Sequence, residues 1–165
     1  MSLLNRLGRG LEAGGLAGCG VAVLFLATDV VRLAPLRTVA ELARPFGATS
    51  LDPESGGFTV AALAAAGAAV VLYSLLHFGA FGLLGVLATW VVPGRTFWTT
   101  LGRGAVFGAV ACSGVFVVGR AAVGSSISLD AVGPVGLLLA NAMAGVIMAA
   151  VLAVHTHDTG DAATG

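Results

Sequence analysis

Charge is what this sequence has least of. Only 10% of its 165 residues are charged, Lys is absent, and the eight Arg are balanced by eight Asp and Glu. A soluble domain carries roughly 25% charged residues, so a surface this poor in charge needs lipid as solvent. Two Cys are too few for a disulfide scaffold. Zero net charge and a hydrophobic share of 58% exclude a disordered chain and a nucleic-acid-binding arm. No phosphate loop, nucleophile–base set or metal-ligand quartet occurs, so nothing marks the chain as an enzyme.

What is present is apolar, with a mean hydropathy of +1.00. The charge-free runs are Ala13–Thr28, Ser55–Gly94, Gly104–Gly119 and Ala131–His157, taking His as neutral. A spanning helix needs about 20 mostly apolar residues. These runs predict an all-α polytopic membrane protein, an antiparallel four-helix transmembrane bundle over residues 1–157, followed by a flexible polar tail at 158–165. The spans fall near Leu11–Leu33, Phe58–Val92, Thr99–Val123 and Val132–Val154. The run from Ser55 to Gly94 is too long for one crossing. It is either one helix whose Ala-rich start projects or tilts, or a hairpin that would make five spans. Leu75–Leu84 holds no Pro, Asn or Asp to turn the chain, which favours one helix.

The excess of Arg near spans sets orientation. Arg6 and Arg9 precede the first span, and Arg95 and Arg103 flank the turn between the second and third, with Trp90 and Trp98 as interfacial anchors. Arg37 and Arg44 on the other side are balanced by Glu41, Asp52 and Glu54. Both termini are expected in the cytoplasm. In the loop Leu36–Gly57, Thr38-Val39-Ala40-Glu41 has capping-box form and predicts a short helix over Val39–Ala43. Short connections elsewhere are expected to make consecutive helices packed neighbours.

Leu16-Ala17-Gly18-Cys19 has the letters of a lipobox, but a signal peptide places its apolar core before the cleavage site. Here the apolar run comes after Cys19, so Cys19 reads as a small apolar residue in a helix interface. Gly10, Gly14 and Gly18 recur every four residues on the first span, and Gly104 and Gly108 do so on the third. Such faces let helix backbones approach closely. With Asn141 in the fourth span as an interhelical hydrogen bonder, they are the expected packing residues, and they also suit self-association or other membrane subunits.

Ionisable groups inside a membrane are costly and mark function. Depth counting places Asp29, Arg32, Tyr73, His77, Arg120 and Asp130 in the outer half as a candidate polar cluster. It brings Asp29 and His77 to similar depth, within hydrogen-bonding reach directly or through water. A structural reading, in which these groups only hold helices together, stands beside a proton, ion or ligand site. Haem is a further alternative, with His77 as one ligand and Met143 or Met148 as the other. His155-Thr156-His157-Asp158 has no companion ligands, so no metal site is expected.

The stretches Phe25-Leu26-Ala27-Thr28-Asp29-Val30-Val31-Arg32, Pro35-Leu36-Arg37-Thr38 and Leu76-His77-Phe78-Gly79-Ala80-Phe81-Gly82-Leu83-Leu84-Gly85 resemble a group of small uncharacterised bacterial four-helix membrane proteins. These share an acidic residue at the end of helix one and a His-Phe in helix two. The resemblance covers about half the chain. It implies a multi-pass protein of a bacterial inner membrane, and it carries no activity. Three functions stand as expectations: an accessory or structural membrane subunit, a transport or proton-relay component using Asp29, Arg32 and His77, and a haem-binding membrane anchor.

Overall fold

In the computed structural model, the described residues are 2–33, 38, 60–123 and 133–161, less the side chains of 60–63, 65–66, 69, 120, 122–123 and 155–161. The elements are α1 (Leu3–Val31), α2 (Val60–Val91), α3 (Phe97–Phe107), a π turn (Gly108–Cys112), α4 (Ser113–Val123) and α5 (Gly133–Asp161). α3 and α4 form one rod through the π turn, so the described chain makes four rods. All four are long and apolar enough to cross a membrane. The predicted helix Val39–Ala43 lies outside the described residues.

Helix ends reflect local chemistry. α1 begins eight residues earlier than hydropathy suggests, because the Ser2 hydroxyl accepts from the Asn5 N–H at 3.3 Å and caps it. It ends where Leu33 adopts φ 56° and its N–H bonds the Val30 carbonyl at 3.0 Å. The run Ser55–Gly94 yields one helix of 32 residues from Val60, not a hairpin. The turn after it is tightly built. The Gly94 N–H donates to the Thr100 hydroxyl at 3.0 Å, and a Cβ at Gly94 would lie 2.9 Å from the Thr100 nitrogen. Arg103 Nη1 donates to the Pro93 carbonyl at 2.7 Å. Thr96 and Thr99 then form a reciprocal capping box for α3. α5 continues past Val154 to Asp161, into the segment expected as a tail.

Small residues hold the rods together. A Cβ at Gly10 would come within 2.5 Å of the Val86 Cα, one at Gly14 would strike the Phe81 carbonyl, and one at Gly85 would meet Gly14. Residue numbers therefore rise along α1 as they fall along α2. A second set joins α3 to α5. Cβ atoms at Gly104, Gly108 and Gly145 would each strike backbone of the facing rod. α1 also packs on α5, where Gly20 faces the Ile147 side chain. The packing order is thus α2, α1, α5, α3. Although a short turn joins them, α2 and α3 touch little, contrary to the expectation that consecutive helices pack. Glycine pairing, rather than connection length, selects the neighbours.

The core between these rods is rich in alanine (Ala13, Ala17, Ala88, Ala140, Ala144 and Ala149) and includes Phe25, Phe81 and Leu84, with Met148 and Val92 its largest fully buried side chains. It is lopsided. No described residue is buried in Val70–Ala80, in α4 or in Gly133–Leu139. The rods are tight where α1 and α3 begin and loose where α1 and α4 end.

Candidate functional site

Among the described residues, polar side chains that bond beyond their own element and away from the α2–α3 turn lie in three separate places. The first is the end of α1. Asp29 is 3% exposed and receives two hydrogen bonds from Thr38, itself 2% exposed. The Thr38 N–H donates to Oδ2 at 2.7 Å, and its hydroxyl donates to Oδ1 at 2.7 Å. Thr38 lies in helical conformation. A carboxylate that accepts both a backbone N–H and a hydroxyl satisfies two buried donors at once. Thr28, next to Asp29 in the chain, returns its hydroxyl to the Leu24 carbonyl at 2.8 Å.

The second place is the contact of α2 with the glycine face of α1. His77 Nε2 lies 3.2 Å from the Gly18 carbonyl oxygen. A carbonyl can only accept, so Nε2 carries the proton and, in the neutral ring, Nδ1 offers a lone pair. The Tyr73 hydroxyl stands 3.4 Å from Nδ1 and is its donor. The imidazole sits among rings, with centroids at 5.6 Å to Tyr73, 5.3 Å to Phe78 and 4.8 Å to Phe81. Gly18 admits this arrangement, because a Cβ there would press on the Phe78 ring at 3.1 Å.

The third place is the π turn. A π turn inserts the equivalent of one extra residue, which rotates the helix beyond it by about 100°. Ser113, the first residue after it, accepts from Asn141 Nδ2 at 3.0 Å. Asn141 is 5% exposed, and its backbone carbonyl faces Gly108. Glycine contact and side-chain hydrogen bond thus meet at one level of the α4–α5 pair.

The predicted cluster is therefore brought together only in part. Tyr73 and His77 meet, but Asp29 and His77 do not. His77 is level with Gly18, and the stretch of α1 from Gly18 to Asp29 measures about 16 Å at 1.5 Å per residue. The physical reason is register. Gly10 and Gly14 dock on Gly85 and Phe81–Gly82, which sets α2 about three turns away from the register that would bring His77 level with Asp29. Arg32 is exposed just beyond α1. Arg120 lies on α4, its side chain not among those described, and Asp130 lies outside the described residues. The predicted packing positions Gly10, Gly14, Gly18, Gly104, Gly108 and Asn141 all lie at helix contacts. Their mates Gly85 and Gly145, and Thr38 as the partner of Asp29, were missed. The mates carry the same small-residue signal, and the capping-box form at Thr38 announced a helix start in need of an acceptor.

Among the described residues no three His, Cys, Asp or Glu gather to hold a metal ion. Cys19 is exposed rather than in a helix interface, because it follows Gly18, which carries the packed face of α1; Cys112 is buried, and both are free thiols. No protein-family model matches the chain, and no curated protein or solved structure is detectably similar to it.

Proposed function

We propose that this chain is a multi-pass integral membrane protein, an antiparallel transmembrane bundle of the bacterial inner membrane, acting as an accessory or structural subunit rather than an enzyme. The two termini and the Arg95–Arg103 turn face the cytoplasm. The observation that carries the reading is that the polar side chains described within the rods are engaged by the protein itself. Asp29 is taken by Thr38, His77 by Gly18 and Tyr73, and Asn141 by Ser113. Ser74 and Thr89 bond carbonyls of their own helix at 2.8 Å each. His77 and Asn141 used this way act as interhelical glue, and the outward surface is apolar, with residues such as Val31, Leu75 and Leu83 exposed. Crosslinking in native membranes with mass-spectrometric readout tests the role. A reproducible membrane partner or a self-crosslink is expected, and a solitary chain would count against it.

One observation favours a proton-relay reading. The Tyr73 hydroxyl and His77 Nδ1 form a donor–acceptor pair at the border of the loosely packed half. Proteoliposomes with an internal pH dye separate the two readings. Proton flux that His77→Gln abolishes without altering assembly would favour the relay.

A further inference from the structure

We infer that the end of the bundle carrying Arg6, Arg9, Arg95 and Arg103 holds the headgroups of anionic phospholipids. The inference rests on the membrane-spanning reading above. Every basic residue here is Arg, whose planar fork matches two phosphate oxygens at once, where Lys would offer only a point charge. The fold gathers the four arginines from distant parts of the sequence. Gly10 docks on Gly85 and Val86, so the first turns of α1, with Arg6 and Arg9, stand beside the last turns of α2. The turn after α2 carries Arg95, exposed, and leads to Arg103, whose Nη1 is fixed on the Pro93 carbonyl while the side chain remains exposed.

Aromatic residues set the depth of these guanidinium groups. Trp90 is 48% exposed and Trp98 77% exposed, and the Phe97 and Trp98 rings meet edge to face at 5.4 Å. Exposed Trp at a span end sits at headgroup level, which brings Arg95 and Arg103 next to lipid phosphates. Glu12 is the one acidic side chain described near this end, one turn inside Gly8. The backbone of α5 also carries Asp158 and Asp161 toward it. Clusters of four or more basic residues beside a span attract anionic lipid, at about 1 kcal/mol for each Arg near the surface, or about fivefold in affinity.

The test uses the full chain in an uncharged detergent, titrated with phosphatidylglycerol, phosphatidylcholine or glycerol 3-phosphate. The lipids carry brominated acyl chains, so binding quenches the only two tryptophans, Trp90 and Trp98. Phosphatidylglycerol is expected to quench saturably and at least tenfold more tightly than phosphatidylcholine. Arg6→Gln and Arg95→Gln should each weaken it about fivefold. Asp158→Asn with Asp161→Asn should tighten it, a gain that misfolding cannot imitate. Equal affinity for the two lipids, or an unchanged affinity when Arg6→Gln and Arg95→Gln are combined in one chain, would overturn the inference. Glycerol 3-phosphate displacing the lipid at comparable concentration would reassign the site to free phosphate and overturn it as well. Flotation with phosphatidylcholine vesicles is scored separately. A chain that fails to float contradicts the spanning reading itself, whatever its lipid preference.

Discussion

The two halves of the bundle are held by different means. Where α1 and α3 begin, glycines from facing rods bring backbone against backbone, and alanines fill what space is left. Where α1 and α4 end, few residues are buried, and the described contacts there include the Asp29–Thr38 pair. His77 and Asn141 stand near the border between the halves. In the membrane-spanning arrangement proposed above, the difference reflects what each force can do without a hydrophobic drive between helices. Dispersion between small residues needs contact along several turns, and so fixes register. A hydrogen bond needs only two groups in reach, and so holds a site without closing the surface around it.

The comparison breaks most visibly at the glycines. Gly14→Leu and Gly145→Leu each force a branched side chain into facing backbone. The expected cost is at or beyond the upper end of the ~1–3 kcal/mol seen for overpacking, read by unfolding in detergent. Gly15→Leu and Gly102→Leu, whose Cβ atoms would meet nothing within 4 Å, are expected to leave stability nearly unchanged. If all four variants behave alike, glycine contact does not hold this half.

Next in size is the Asp29–Thr38 pair. Asp29→Ala removes the acceptor of two hydrogen bonds and leaves the Thr38 N–H and hydroxyl buried. A loss of roughly 1.5–3 kcal/mol is expected. Thr38→Ser keeps both donors and is expected to retain most of the stability. Equal losses in the two variants would mean that packing of the Thr38 methyl, not the hydrogen bonds, matters there.

The smallest effects belong to the border. His77→Gln and Ser113→Ala each weaken one interhelical hydrogen bond, and such bonds within membranes average about 0.6 kcal/mol. A double-mutant cycle between Ser113 and Asn141 is expected to return a coupling of that order. A loss several times larger on His77→Gln alone would show that the ring cluster of Tyr73, Phe78 and Phe81 depends on the imidazole for its shape.

Composition and the spacing of charges made the four rods legible, because a long uncharged run admits few structures in lipid. The glycine faces of α1 and α3 were legible for the same kind of reason, since a four-residue repeat returns to one side of a helix. Register was not. The uncharged run from Ser55 to Gly94 is longer than one crossing, so boundaries leave α2 free to slide by about three turns, enough to place His77 wrongly beside Asp29. The signal that fixes it lies in matching Gly82 and Gly85 to Gly10 and Gly14, which needs both helices considered together. The π turn was illegible because Gly108–Cys112 contains no residue that demands it. Its partners, the Asn141 carbonyl and amide, come from a different helix.

Register is therefore the central claim, and crosslinking tests it most directly. With Cys19 and Cys112 replaced by Ser, two double-cysteine variants are compared under mild oxidation in native membranes. One is Leu11→Cys with Gly82→Cys, where a Cβ at Gly82 lies 3.2 Å from the Leu11 side chain. The other is Asp29→Cys with His77→Cys. The glycine-set register predicts an efficient intramolecular crosslink in the first and none in the second. A crosslink between positions 29 and 77, with none between 11 and 82, would contradict it.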